Sequence, residues 1–185
     1  NDGAGRMSSG ETSLVVRVEG AISSLDDLRG IRISAPRDAA RLREELNEAV
    51  AIKDAPTVVR FSKGVASGEI AALRRTADGV DVLGEAAAKD VLLLTVGPMA
   101  SIGLQVADLL AAQGIGATVI DPRWVVPVPK SVLSLSAEHR LVVTIEDGIK
   151  VGGIGTRVRQ DLREAQVDTA LTEIGLPDEF IDHAT

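Results

Sequence analysis

The stretch that decides the fold is "DVLLLTVGPMASIGLQVADLLAAQGIGATVIDP", residues 90–122. It begins with a continuous apolar run that Gly97 ends, a pattern typical of a buried strand. Pro98 suits the first turn of a helix, and Gly114 suits its end. A second apolar run then ends at Pro122. This order of strand, helix and strand has the length of a right-handed parallel crossover.

The residues after this crossover repeat the alternation. We predict a short helix over 129–139, a strand over 140–147, a second long helix, and a closing strand over 169–175. Such alternation predicts an α/β fold: an open, mostly parallel sheet with helices on both faces. Hydrophobic residues make up 45% of the chain and aromatic residues only 2%, so the core must be aliphatic. Sheets that are buried on both faces have this composition.

The first half of the chain is less complete. Residues 30–64 predict a strand, a helix and a strand, and the charged face of that helix, over 41–49, is expected to be solvated. Two strands and one helix cannot bury a sheet alone, so this part of a second α/β domain needs partners from elsewhere. Residues 65–89 are charged and punctuated by glycine, which predicts a linker with one short hairpin. A further strand-like run covers 13–18.

Composition excludes several classes of protein. The chain has 20 basic and 27 acidic residues, and the net charge of −7 argues against a general nucleic-acid-binding surface. The absence of cysteine excludes disulfides, thiolate metal sites and cysteine nucleophiles. No apolar run reaches the roughly 18 residues of a membrane helix, and no signal peptide is visible. We expect a soluble, cytoplasmic protein with neither nucleic-acid nor membrane partners.

A glycine-rich stretch, "EDGIKVGGIGTRV" over residues 146–158, lies between a predicted strand and a predicted helix. It lacks the third glycine of a dinucleotide fingerprint and the G-K-[ST] ending of a Walker loop. The helix N-terminus could still hold an anion, but a tight structural turn is the preferred interpretation. Glu146 and Asp147 could serve metal or acid–base chemistry. Capping of the helix by Asp147 is preferred.

A second candidate site is "VVRFSKG", residues 58–64, which places Arg60 and Lys63 at the end of a predicted strand. Two cations there could bind a substrate phosphate, with Arg60 in bidentate geometry. A solvated strand end would carry the same residues. The residues alone leave both interpretations open.

Four further positions are weaker candidates. Gly97 and Ser101 follow a strand at the edge where open sheets bind ligands, but a structural turn is preferred. His139 and His183 have no Ser or Asp close in sequence that would suggest a catalytic triad. We expect both histidines to be structural.

Several stretches in register resemble one family: "VIDPRWVVPVP", "LVVTIEDGIKVGGIGTRV" and "IGLPDEFIDHAT", preceded by "APRDAARLREELNEA" and "PTVVRFSKG". Together they resemble 1-deoxy-D-xylulose-5-phosphate synthase in its actinobacterial form, over residues 30–185. The resemblance implies a three-domain homodimer that uses thiamine diphosphate and Mg²⁺. It also implies an isoprenoid-precursor reaction, in which pyruvate is decarboxylated and its two-carbon unit joins glyceraldehyde 3-phosphate.

This resemblance also implies a domain organisation. Residues 1–64 would be part of the pyrimidine-binding, transketolase middle-type domain, 65–89 a linker, and 90–185 a transketolase C-terminal-like domain. The family's metal-binding motif and its activating Glu segment are absent from the sequence. We therefore expect no catalytic or metal-binding residue here, no binding of thiamine diphosphate or Mg²⁺ by this chain, and no activity without the other domains of the enzyme.

The resemblance assigns roles to two residues. Arg60 matches an Arg that binds the phosphate of glyceraldehyde 3-phosphate in the family. Asp2 resembles the Asp of the family's D-G-x-x-H stretch near the acceptor substrate, although Arg6 stands where the family has His and residues 7–29 match nothing expected. Two alternatives stay open: a 2-oxoacid dehydrogenase β-subunit-like domain, and a non-catalytic module for dimerisation or ligand binding. "IGLPDEF" and "VVRFSKG" favour the synthase over the β-subunit.

Overall fold

The computed structural model describes residues 12–16, 24, 28–62 and 68–179. The predicted positions Asp2, Lys63 and His183 lie outside these residues. In chain order the strands are β1 Thr12–Val16, β2 Arg32–Ser34, β3 Thr57–Phe61, β4 Arg74–Arg75, β5 Asp81–Glu85, β6 Val91–Thr95, β7 Ala117–Asp121, β8 Trp124–Val126, β9 Leu141–Ile149 and β10 Ala170–Leu176. The helices are α1 Ala39–Ala51, α2 Ala100–Ala111, α3 Lys130–Glu138 and α4 Ile154–Glu164.

The main sheet has six strands in the order β10-β9-β6-β7-β5-β4. The four strands β10, β9, β6 and β7 are parallel, and β5 and β4 add an antiparallel edge. The predicted crossover is β6, α2 and β7, and every residue of β6 and β7 is buried. The predicted α/β fold with an open, mostly parallel sheet is confirmed.

Helices cover both faces of this sheet. On one face, α3 and α4 place aliphatic side chains against β6, β7 and β9. On the other face, α2 packs against the opposite side chains of β6 and β7. The contact of α2 with β6 is close, because a Cβ added to Gly103 would lie 2.3 Å from Thr95 Cγ2. The hydrophobic side chains that these three helices bury are Val132 and Leu135 of α3, Val158 and Leu162 of α4, and Ala100 of α2.

A smaller sheet has the order β1-β3-β2-β8. Strands β2 and β3 are parallel, whereas β1 and β8 are antiparallel to their neighbours. The strand β8 comes from the second half of the chain and follows a turn in which Arg123 has a left-handed backbone, with φ of 59°. Strand β8 therefore supplies one of the neighbouring strands that β2 and β3 need to form a sheet. Strand β8 was not predicted, because three residues close to Pro122 and Pro127 give little periodic signal.

Part of the segment predicted as a linker, residues 65–89, is a hairpin of β4 and β5, with Arg74 opposite Val82. Strand β5 also pairs with β7, so it belongs to the six-stranded sheet. The domain limits drawn from the sequence stay a prediction. Among the described residues, no helix is long and apolar enough to cross a bilayer.

Candidate functional site

Arg60 lies near the end of β3, where its side chain meets the main sheet. Its Nη1 donates a hydrogen bond to Asp147 Oδ1 of β9 at 2.7 Å. The side chains of Arg60 and Asp147 are 23% and 20% exposed. The ion pair therefore joins the two sheets at a partly buried position, rather than leaving Arg60 at a solvated strand end.

The residue beside Asp147 has a different partner. The carboxylate of Glu146 accepts hydrogen bonds from the backbone N–H groups of Ile154 and Gly155, at 3.0 and 2.9 Å. These two amides open α4, so Glu146 caps this helix from β9. The prediction that Asp147 caps the helix was wrong. The longer Glu side chain reaches the amides, and Asp147 is engaged by Arg60, a residue 87 positions away.

The glycines of the loop allow this approach. A Cβ at Gly153 would lie 2.6 Å from Glu146 Oε1, and one at Gly155 would lie 2.4 Å from Thr144 Oγ1. A bound phosphate would compete with the internal carboxylate for the same amides, which would leave a buried charge without partners. The geometry supports the structural interpretation of this loop.

The three weaker candidate positions inside the described residues also have structural surroundings. Gly97 is buried with a φ of 57°, and Ser101 Oγ donates to the carbonyl oxygen of Pro98 within the same turn. His139 is buried; its Nδ1 lies 2.7 Å from the Leu135 carbonyl oxygen and its Nε2 3.0 Å from Thr118 Oγ1. A carbonyl can only accept, so Nδ1 is the donor. Both ring nitrogens are thus engaged in the core.

A buried ionic cluster connects the first half of the chain to the main sheet, and sequence reasoning missed it. Arg37 Nη1 donates to Asp81 Oδ2 of β5 and to Asp121 Oδ2 of β7, both at 2.7 Å. Its Nε and Nη2 donate to the carbonyl oxygen of Ile70. Burial lowers the pKa of Arg37, but the hydrogen bonds and charges of Asp121 and Asp81 outweigh it, so the net pKa is raised. Arg37 therefore stays charged inside the protein.

The charged face of α1 belongs to the same junction. Arg123 Nη2 pairs with Glu48, and Trp124 Nε1 donates to the other oxygen of that carboxylate at 2.6 Å. Glu45 is fully buried. The prediction of a solvated face over 41–49 holds for Arg43 and Asn47, which are exposed, but was wrong for Glu45 and Glu48, because the turn after β7 brings Arg123 and Trp124 onto that side of the helix. Ion pairs between residues 75 positions apart leave no local signal in a sequence.

The described part of the chain contains no group of three or more His, Asp or Glu side chains placed to hold a metal ion. Its buried acidic groups at the junction face arginines, and the amides that open α4 face Glu146. These residues hold the two sheets together, and Arg60 presents its guanidinium at the contact between them.

Comparison with known proteins decides the family. A family model described as the transketolase C-terminal domain matches residues 80–185. The chain belongs to the transketolase C-terminal domain family. The matched range contains β5, ahead of residue 90, where the sequence places the beginning of this domain.

Relatives of this transketolase C-terminal domain include two enzymes named 1-deoxy-D-xylulose-5-phosphate synthase. The enzyme from Clavibacter sepedonicus is 73% identical over 155 residues, which are 84% of this chain and 24% of the relative. The enzyme from Leifsonia xyli subsp. xyli is 71% identical over 164 residues, 89% of this chain and 25% of the relative. The chain thus spans about a quarter of the length of these relatives. The predicted resemblance is confirmed.

Solved structures agree with this assignment. A split-gene transketolase, described as an inactive β4 tetramer, superimposes with a TM-score of 0.70 and 28% identity over 80% of this chain and 49% of that chain. A transketolase variant from Pichia stipitis gives a TM-score of 0.58 at 15% identity, over 80% of this chain and 21% of that chain. The second likeness shows the fold alone.

Proposed function

We propose that the chain is part of a 1-deoxy-D-xylulose-5-phosphate synthase, which condenses pyruvate with glyceraldehyde 3-phosphate and releases carbon dioxide. The observation that carries this proposal is the 73% identity over 155 residues with the Clavibacter enzyme. That identity covers 84% of the chain, so it includes most of both sheets. The reaction belongs to the whole protein, of which this chain supplies about a quarter.

Thiamine diphosphate and Mg²⁺ would act in the full-length enzyme, where the cofactor supplies a nucleophilic carbon that decarboxylates pyruvate. The described residues do not fit either group. The backbone amides of Ile154 and Gly155, which could bind a diphosphate, are hydrogen-bonded to Glu146. The buried carboxylates of Asp81 and Asp121, which could bind a metal, are paired with Arg37. We therefore place the cofactor on the other domains, with a second copy of the enzyme as the expected partner.

Within this enzyme the chain contributes a scaffold and one binding residue. Arg60 binds the phosphate of glyceraldehyde 3-phosphate, since a guanidinium matches phosphate geometry with paired N–H donors. Its 23% exposure leaves the guanidinium within reach of a substrate, and its position at the contact between two sheets restricts its motion. Asp2 is a second possible acceptor contact and lies outside the described residues.

Replacement of Arg60 tests this role. In the full-length enzyme, Arg60→Ala should raise KM for glyceraldehyde 3-phosphate, because a charge-assisted contact worth about 1.5–3 kcal/mol is lost. That loss corresponds to about a 10- to 150-fold change in KM. Steady-state kinetics with each substrate varied in turn gives the measurement.

Two controls make this experiment specific. Glyceraldehyde without its phosphate should give the same KM with the wild type and with Arg60→Ala, and KM for pyruvate should not change. Arg60→Lys keeps the charge but loses the bidentate geometry, so its KM should lie between the two. An unchanged KM for the phosphorylated acceptor in Arg60→Ala would refute the role.

A further inference from the structure

We propose that Asp147 is a positioning residue for Arg60: it holds the guanidinium in the orientation that receives the phosphate of the acceptor substrate. This inference rests on the proposed function of Arg60 and extends it to a residue on the other sheet. Asp147 itself does not touch the substrate. It acts through the 2.7 Å hydrogen bond from Arg60 Nη1 to its Oδ1.

The ion pair is placed where orientation matters. An arginine side chain at a surface has many rotamers, and restricting them costs up to about 2 kcal/mol of side-chain entropy. Here the restriction is built in before the substrate binds, because Asp147 approaches one edge of the guanidinium at a site that is only one-fifth exposed. A guanidinium has five N–H donors in a planar fork, so a carboxylate at Nη1 is compatible with phosphate binding by other donors.

Asp147 lies just beyond a firmly paired point of its strand. Strand β9 is paired on both sides, with β6 through Thr95–Ile145 and with β10 through Ile174–Ile145. Just beyond this pair the register shifts: four residue steps on β9, from 145 to 149, face two steps on β10, from 174 to 176. Irregularities of this kind re-aim side chains at functional sites. Here the shift contains Glu146 and Asp147, the one directed to α4 and the other to Arg60.

Because Asp147 is negatively charged, repulsion and positioning predict opposite changes in KM when its side chain is removed. As a carboxylate beside a phosphate-binding residue, Asp147 also repels the substrate's anionic group. If repulsion dominated, its removal would lower KM for the phosphorylated acceptor. If positioning dominates, as we infer, its removal raises KM although a negative charge has gone.

The experiment uses the full-length enzyme with the variants Asp147→Ala, Asp147→Asn, Arg60→Ala and the double variant Arg60→Ala/Asp147→Ala. Asp147→Ala should raise KM for glyceraldehyde 3-phosphate on the order of tenfold, with kcat and KM for pyruvate unchanged. Asp147→Asn should restore most of the affinity, because its amide oxygen still accepts the arginine N–H. The double variant should match Arg60→Ala alone, since Asp147 acts only through Arg60 and has nothing to position once Arg60 is gone.

A matched control is Asp168→Ala. Asp168, on the loop after α4, pairs with Arg163 of α4 at the same distance of 2.7 Å. These side chains are 88% and 75% exposed, respectively. This variant should leave every kinetic constant unchanged.

The possible outcomes separate the inference from the function on which it rests. If Arg60→Ala raises KM for the phosphorylated acceptor and Asp147→Ala leaves it unchanged or lowers it, the positioning role is wrong and the proposed function stands. If Arg60→Ala has no effect, the phosphate role of Arg60 is wrong. Suppose instead that Asp147→Ala and Asp147→Asn lower kcat and raise KM for pyruvate and unphosphorylated glyceraldehyde as much as for glyceraldehyde 3-phosphate. In that case Asp147 is only structural and the inference is overturned.

Discussion

Glu45 lies on α1 with its side chain fully buried, and neither carboxyl oxygen has a hydrogen-bond partner in the described part of the chain. Arg123 Nε lies 3.8 Å from Oε1, which is too far for a hydrogen bond. Burial, helped by the nearby charge of Asp121 and opposed by that of Arg123, raises the pKa of Glu45 from 4.5 to about 9. Glu45 is therefore protonated at neutral pH.

This raised pKa predicts a pH dependence of stability. Because the folded state holds the proton more tightly, the contribution of Glu45 is full below pH 4.5 and is lost as the pH rises towards 9. The free energy of unfolding should fall by up to about 1.4 kcal/mol per pH unit in that window. Glu45→Gln, which is neutral at every pH, should flatten the curve and be more stable than the wild type at pH 8.

Urea unfolding of both proteins at several pH values between 5 and 8 gives this comparison. The difference between the two curves isolates Glu45 from the other groups that titrate, such as Asp121, whose pKa burial raises to about 6. Parallel curves for the wild type and Glu45→Gln would show that Glu45 is not the protonated group that we infer.

Helix α4 shows how far one element can be predicted from its own sequence. The glycines of residues 146–158 correctly indicate a tight turn into a helix, and the helix follows over Ile154–Glu164. The choice between Glu146 and Asp147 as the cap could not be predicted. It depends on Arg60, which comes from another sheet and is visible only once the chain has folded.

Removal of this cap should weaken the element. Glu146→Ala leaves two backbone amides at the start of α4 without their acceptor, so the free energy of unfolding should fall by about 1–3 kcal/mol. Glu146→Gln keeps one acceptor oxygen and should lose less. Urea unfolding measures both, with Glu164→Ala at the exposed end of α4 as a control expected to change stability by under about 0.5 kcal/mol. Wild-type stability in Glu146→Ala would contradict the capping role.

At the scale of the whole molecule, the described strands form two sheets that share a charged junction, and β8, which follows β7 of the main sheet, pairs in the smaller one. The crossover β6, α2 and β7 was predicted because its apolar run, Pro98 and Gly114 are all local signals. The pairing of β8 with β2 was not predicted, because the three residues of β8 give little periodic signal. The contacts of Arg37 with Asp81 and Asp121 were not predicted either, because those residues are 44 and 84 positions away along the chain. The resemblance of several stretches in register indicated the family, where single motifs did not.

We propose that this chain belongs to an enzyme that makes 1-deoxy-D-xylulose 5-phosphate. The most direct test incubates the full-length protein that carries these residues with pyruvate, glyceraldehyde 3-phosphate, thiamine diphosphate and Mg²⁺, and measures the sugar phosphate and carbon dioxide formed. We expect one molecule of each product per turnover and no transfer between xylulose 5-phosphate and ribose 5-phosphate. Transketolase activity on those two sugars, without product from pyruvate, would contradict the account.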